Sequence, residues 1–337
     1  MKRYIKRGNP RLMTDLAIEI SEVLKLDKDE SYDIPGVEIK QKYFEEEEMT
    51  ISKVTILNQE GVENMGKEKG QYITIESRSL KENNPDHHES IISVLAETIS
   101  SLLPPKKGDK LSVLVIGLGN RFATPDTLGP KVSNQVFVTR HVAVKAPDLL
   151  EESMSHLSSF APSVMGLTGI ETAEIIYGVV QNVKPDCIIA VDALAARNTS
   201  RINTTIQVTD TGISPGAGVG NKRRELNEEL MGCKVIAIGV PTVVDTVTLV
   251  SDALKDLVEH MLKNAEHSPF YDMMKGLSEE DQYSLIKESI YPELSELFVT
   301  PKEMDEVMEY LASIVANGIN LAVHKGMTLK DINKYTY

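Results

Sequence analysis

Between residues 16 and 80 of the chain, several runs of apolar side chains alternate with polar ones. Val37–Tyr43, Met49–Leu57 and Gln71–Ile75 carry strand-like alternation, with glycines and charges between the runs. A period of two predicts β-strands, so residues 16–80 read as β-rich. Glu45–Glu48 reads as a solvated turn between the first two strands. At Glu89–Leu103 the rhythm lengthens. Apolar residues at 91, 92, 95, 99 and 102 make one face of a helix. Pro104, Pro105 and the lysines after them mark a linker.

From residue 111 continuous apolar runs alternate with helical patterns. Val113–Ile116 stops at Gly117-Leu118-Gly119-Asn120, and Asp186–Val191, Thr204–Val208 and Lys234–Val240 are similar runs. Runs without alternation suit strands covered on both faces, as in a parallel sheet. Between them, Thr124-Pro125-Asp126 leads into a helix with Pro130 in its first turn or just ahead of it. Thr168-Gly-Ile-Glu171 has capping-box spacing for a helix to about Val183, and a further helix is predicted over Lys222–Met231. Asp245 can cap a helix to Ala265 with apolar residues at 247, 250, 254, 257, 258 and 261. The prediction for 111–265 is an α/β unit, a mostly parallel sheet flanked by helices. Residues 266–299 are polar and less regular. Thr300-Pro301-Lys302-Glu303 is another capping-box pattern, ahead of apolar positions 304, 307, 308, 311, 314 and 315. No internal repeat is present.

Composition adds compartment and partner. The chain has 337 residues, 41% hydrophobic and 26% charged. No apolar run approaches the ~20 residues that a membrane-spanning helix needs. The N-terminus lacks a signal-peptide core, so no membrane association and a cytoplasmic location are expected. Cys187 and Cys233 each lie beside strand-like apolar residues and read as reduced core thiols. The net charge of −14 argues against direct nucleic-acid binding and fits a basic polypeptide or a small molecule. It is uneven. Lys2, Arg3, Lys6, Arg7 and Arg11 against Asp15 make residues 1–15 a +4 arm on a body of −18. Such an arm is either a solvated tail or a segment that docks on the acidic body.

Two carboxylates stand out. Asp126 and Asp192 are each expected just past the carboxyl end of a buried strand, where open α/β sheets place their chemistry. If those strands are neighbours, the carboxylates converge, and one holds a proton while the other is charged. Such a pair can activate water and protonate a departing amide nitrogen. Each also has a plain reading: Asp126 as a helix-terminus carboxylate and Asp192 as a turn residue. Gly117-x-Gly119 is no dinucleotide fingerprint, because Phe122 stands where the third glycine belongs. The loop Gly212–Asn221 lacks a phosphate loop's Gly-Lys-Ser/Thr ending. Its amides at Gly216, Gly218, Gly220 and Asn221 are either an oxyanion site or a tight strand–helix turn. The seven histidines show no metal-ligand spacing, and His141 is read as a cation after a helix. Ser163 and Ser214 lack a nucleophile-elbow setting, and no cofactor is implied.

The blocks GLGN…TPDTLGPKV…TRH, VMGLTGIET, KPDCIIAVDALAAR, NTTIQVTDTGISPGAGVGNKR and VIAIGVPTVVD, with TDLA near the N-terminus and VTPKEMD near the C-terminus, resemble the germination protease family of endospore-forming bacteria. The resemblance implies an endopeptidase of the forespore and spore core that degrades small acid-soluble spore proteins during germination. It implies a homotetramer made as a zymogen that removes its own N-terminal segment, on a fold similar to the hydrogenase-maturation peptidases. It puts the two catalytic aspartates at Asp126 and Asp192, and no metal ligand set is found. Met13-Thr14-Asp15-Leu16-Ala17 matches the family's self-cleavage site, which places the cut between Asp15 and Leu16. The organisation expected is a propeptide (1–15), an N-terminal β-rich portion (16–110), a catalytic core (111–265) and a C-terminal helical extension (266–337). Two departures from the family pattern stand in loops, Ala161-Pro162-Ser163 in place of Pro-Gly and Ala217 in place of Ser. Two rivals remain at this point. A metal-dependent maturation peptidase would be sensitive to chelators. A non-catalytic acidic binder would hold basic spore proteins without cutting them.

Overall fold

The computed structural model describes residues 14–26, 32–82, 84–105, 110–151, 154–214, 224–250, 252–254, 297–332 and 334. Its strands are β1 (Val37–Phe44), β2 (Met49–Ile56), β3 (Gly70–Ser77), β4 (Ser112–Gly117), β5 (His156–Phe160), β6 (Cys187–Ala196), β7 (Thr205–Thr209), β8 (Lys234–Asp245) and β9 (Phe298–Val299). They form one sheet in the order β1-β2-β3-β7-β8-β6-β4-β5, with β9 added to β8. The apolar runs β4, β6 and β8 pair in parallel, and the mixed strand β5 adds to β4 in the same direction. The alternating strands β1, β2 and β3 pair antiparallel, and β7 joins the two sets antiparallel to both β3 and β8. The α/β reading therefore holds, with the N-terminal strands continuing the same sheet. The edge strand β1 is largely exposed and carries Glu38, Lys40 and Lys42, charges that discourage pairing with another chain.

The helices that matter here are α1 (Ala17–Leu26), α2 (Gln59–Met65), α3 (Pro85–Leu102), α4 (Leu128–Gln135), α5 (Arg140–Lys145), α6 (Met165–Thr168), α7 (Thr172–Val183) and α8 (Glu228–Met231), followed by the C-terminal helix Met304–Val323. On one face, α3, α4 and the C-terminal helix bury Ile91, Leu95, Ile99, Leu128, Val132, Leu311 and Val315 against Val113, Val115, Ile189 and Val191. On the other, α7 packs Ile176 and Val180 on Leu114, Ile116, Ile188 and Ala190. Beside α7 on that second face, Leu16, just ahead of α1, and Ile18 in its first turn pack with Val54, Ile56, Tyr72, Leu194 and Ala196.

Several expectations are corrected. Helices α1 and α2 interrupt the stretch read as β-rich. Leu16, Ala17 and Ile18 are almost wholly buried, so the helix start lacks the polar face that signals an amphipathic helix. The Thr168–Glu171 capping box does not form. Gly169, in the left-handed region at φ 71°, closes α6 after Thr168, and α7 starts at Thr172 with no side-chain cap from Glu171. At Thr300 the hydroxyl donates to the Thr242 carbonyl (3.0 Å) instead of capping the C-terminal helix, which starts at Met304. Arg140 and His141 begin α5 and do not follow a helix end. The helix expected over 222–231 is limited, within the described residues, to α8. Asp245 caps as expected, accepting the Thr248 N–H (3.0 Å), and 246–250 are helical; residues 255–265 lie outside the described set.

Candidate active site

β4 ends at Gly117, paired with Val191 of β6. β6 does not end there. It continues through Asp192 to Ala196 because the longer β8 pairs with it as far as Ala196↔Val244, across a bulge at Leu194/Ala195. Asp192 thus lies within a strand and not past its end, as the apolar run implied. The residue is 5% exposed, and its Oδ1 accepts the Ala193 N–H (3.0 Å).

The chain leaving β4 stays close to β6. The Leu118 N–H donates to the Val191 carbonyl (2.8 Å). Gly119 then adopts φ 113°, open chiefly to glycine. A Cβ there would lie 2.2 Å from the Asp126 carbonyl and 2.8 Å from Asp126 Oδ1. The 3₁₀ turn Thr124–Asp126 is thereby folded back over the loop, and Asp126 Oδ2 accepts the Asn120 N–H (2.7 Å). This turn lies against both β6 and β8. Gly117 and Gly129 allow the approach, since added Cβ atoms would meet the Gly129 carbonyl at 2.0 Å and the Leu118 carbonyl at 2.1 Å. The Gly117-x-Gly119 pattern is therefore explained by close packing of a turn onto a strand end. The turn that carries Asp126 lies near the rim of the sheet where β4 stops and β6 goes on through Asp192.

Beyond that rim, the edge of β6 that β4 has left meets the N-terminal segment. The Asp15 N–H donates to the Ala195 carbonyl (3.0 Å), and Asp15 Oδ2 accepts the Ala195 N–H (3.0 Å). Gln207 brackets the expected cleavage bond: its Nε2 donates to the Asp15 carbonyl (3.1 Å) and its Oε1 accepts the Ala17 N–H (2.8 Å). Gln207 and Asp192 both stand opposite Gly239 in register, one from β7 and one from β6. They share a face, with their Cα atoms two strand spacings, about 9–10 Å, apart. Leu194 leans over Gly239 between them, where a Cβ would touch its Cδ1 at 2.3 Å. Leu16 is fully buried. Burial pushes the Lys67 ammonium to a lower pKa, and the Asp15 charge opposes that shift. Sequence reasoning found Asp15 and Leu16 but missed Gln207, whose only signal is a polar residue in an apolar strand run.

The remaining expected residues divide. Gly216, Gly218, Gly220, Asn221 and Ala217 lie outside the described residues. Ser163 takes φ 68°, the left-handed region that glycine enters freely, which explains the glycine of the family pattern there. Cys187 and Cys233 are free thiols, and burial pushes their pKa up to about 12 and about 11, so neither is an activated nucleophile. Among the described residues no group of three or more His, Cys, Asp or Glu side chains is gathered to hold a metal ion, and no helix is long and apolar enough to cross a membrane.

The chain is similar to several known proteins. A curated germination protease of Clostridium tetani is 43% identical over 96% of this chain and 98% of its own length. One of Caldanaerobacter subterraneus is 45% identical over 96% and 97%. Among solved structures, a NiFe-hydrogenase maturation protease of Thermococcus kodakarensis superposes with a TM-score of 0.31 at 14% identity, covering 66% of this chain and 98% of that one. So loose a match adds nothing to the strand pairing above. A model of the germination protease family matches residues 15–270 and 255–336, and the chain belongs to that family.

Proposed function

We propose that this protease is an endopeptidase that hydrolyses small acid-soluble spore proteins in the spore core, with Asp126 and Asp192 activating water directly. One carboxylate takes a proton from water as its oxygen attacks the peptide carbonyl. The other, protonated, gives its proton to the departing nitrogen, so the bond ends as a carboxylate and an amine. The observation that carries the reading is the return of the Thr124–Asp126 turn onto β8 and onto β6, the strand that contains Asp192. The acidic body suits basic substrates.

On the same reading the chain is a zymogen that cuts itself between Asp15 and Leu16. That cut releases residues 1–15 with their +4 charge, and the body left behind is more acidic. The exposed apolar side chains Met165, Leu167 and Ile170 are the surface we assign to packing in a homotetramer. The test is to replace Asp126 and Asp192 separately with Asn. Self-processing, read by mass spectrometry, and cleavage of a purified basic spore protein are each expected to fall by at least ~10²–10⁴-fold, with the oligomer unchanged. A fully active Asp192→Asn enzyme refutes the mechanism.

A further inference from the structure

Glu19 is a buried carboxylate, 2% exposed, in the first turn of α1. Its oxygens accept the Arg197 N–H (2.8 Å), the Asn198 N–H (2.9 Å) and the Thr14 hydroxyl. Arg201 is 3.6 Å away, but its guanidinium hydrogen bonds go to Glu22 and Glu76. Burial raises the Glu19 pKa above the ordinary carboxylate value, and these donors and the Arg201 charge offset that only in part. Arg201 is thus an ion-pair neighbour of Glu19 but not a hydrogen-bond donor to it, and a cation donating directly to the carboxylate would further offset its burial.

The Thr14 hydroxyl also accepts the Leu16 N–H (3.0 Å), so one oxygen separates the Leu16 nitrogen from the Glu19 carboxylate. Leu16 precedes α1, and Glu19 is the third helical residue. That is the spacing at which an acidic side chain normally reaches back to the N–H of the capping residue. In the uncut chain Thr14 stands between them.

We propose that Glu19 is the binding site for the α-ammonium created when the Asp15–Leu16 bond is hydrolysed. Hydrolysis consumes one water and leaves a carboxylate on Asp15 and an ammonium on Leu16. Thr14 departs with the released segment, and the ammonium takes the place of its hydroxyl on Glu19 Oε2. Little else moves, because the Leu16 side chain is fully buried and the Ala17 N–H is held by Gln207. Glu19 also holds the two amides that follow β6, so the new ion pair braces the end of the strand that carries Asp192. The inference rests on the self-cleavage reading only for the event that exposes Leu16.

The experiment keeps the two apart. In the full chain, residues ahead of Leu16 are exchanged for the recognition sequence of an outside protease that leaves Leu16 first, so the cut does not depend on this enzyme. The α-amine is then titrated by isotope-labelled reductive methylation and NMR. Its pKa is expected at least about one unit above the ordinary 7.7–8.0, with ~10-fold slower labelling near pH 8. Glu19→Gln returns it to the ordinary range. A second chain, cut to leave one extra glycine ahead of Leu16, does the same without touching the carboxylate. Thermal stability of the cut wild-type protein is expected to fall as pH rises through the raised value, because the folded state holds that proton longer than the unfolded one. An α-amine that titrates in the ordinary range in the cut wild-type chain overturns the inference. Failure of the natural chain to cut itself counts against the proposed function and leaves this measurement intact.

Discussion

The two halves of β6 differ in what surrounds them. Cys187–Val191 is held between β4 and β8, with apolar helices over both faces. Asp192–Ala196 keeps β8 but has lost β4, and Thr14–Glu19 comes in its place. The first half is a core strand that any close-packed apolar set can satisfy. The second is lined by Asp192, Asp15, Glu19 and Gln207, each matched to particular donors and acceptors. A strand that outlasts its neighbour exposes an edge, and an edge of unpaired backbone groups receives a peptide.

The halves can be tested against each other. The largest effect expected after the aspartate replacements comes from the core half. Ile189→Ala should cost about 2–5 kcal/mol in denaturant unfolding, with activity of the remaining folded enzyme largely kept. Gly119→Ala should act on the other side of the divide. A methyl group 2.2 Å from the Asp126 carbonyl displaces the turn, and a displacement of about 1 Å costs on the order of 10²-fold in turnover. Kinetics and unfolding measured together separate the two patterns, and a Gly119→Ala enzyme of normal rate would break the comparison.

Gln207→Leu removes the bracket around Asp15–Leu16. It should destabilise the uncut chain by about 1–3 kcal/mol and speed its cutting near Thr14 by an added outside protease. The thiols sharpen the picture through pH. Cys187 is held protonated up to about 12 in the folded chain, whereas an unfolded thiol loses its proton near 9. The unfolded state then binds fewer protons, so stability should fall as pH rises above about 9, and Cys187→Ala should flatten that fall. The smallest effect belongs to Ser163→Gly, which relieves φ 68° and should gain less than about 1 kcal/mol.

The antiparallel strands β1–β3, the helices α3 and Met304–Val323, and the parallel runs β4 and β6 were legible because their burial is periodic or continuous along the sequence. Five-residue β5 was not, since His156-Leu-Ser-Ser-Phe160 buries only Leu157 fully. Nor was α1, whose first turn is buried all round. Asp126 and Asp192 could be picked out as carboxylates that follow apolar runs, although Asp192 lies inside β6 and Asp126 in a turn. Asp15–Leu16 could be picked out from its surrounding motif. Gln207 could not, because a glutamine in an apolar strand has no local signature; its role exists only where β7 faces the incoming N-terminal segment.

By itself, then, the sequence determined the element types, the α/β class, the uneven charge and the residues with chemistry to offer, since these follow from side-chain type and spacing. The tertiary structure alone decided that β4 stops one residue short of Asp192's level while β8 carries β6 onward. It alone set Thr14 between Leu16 and Glu19. Strand length is fixed by the partner's hydrogen-bonding groups and contact by the folding of distant segments together, and neither is written in local spacing.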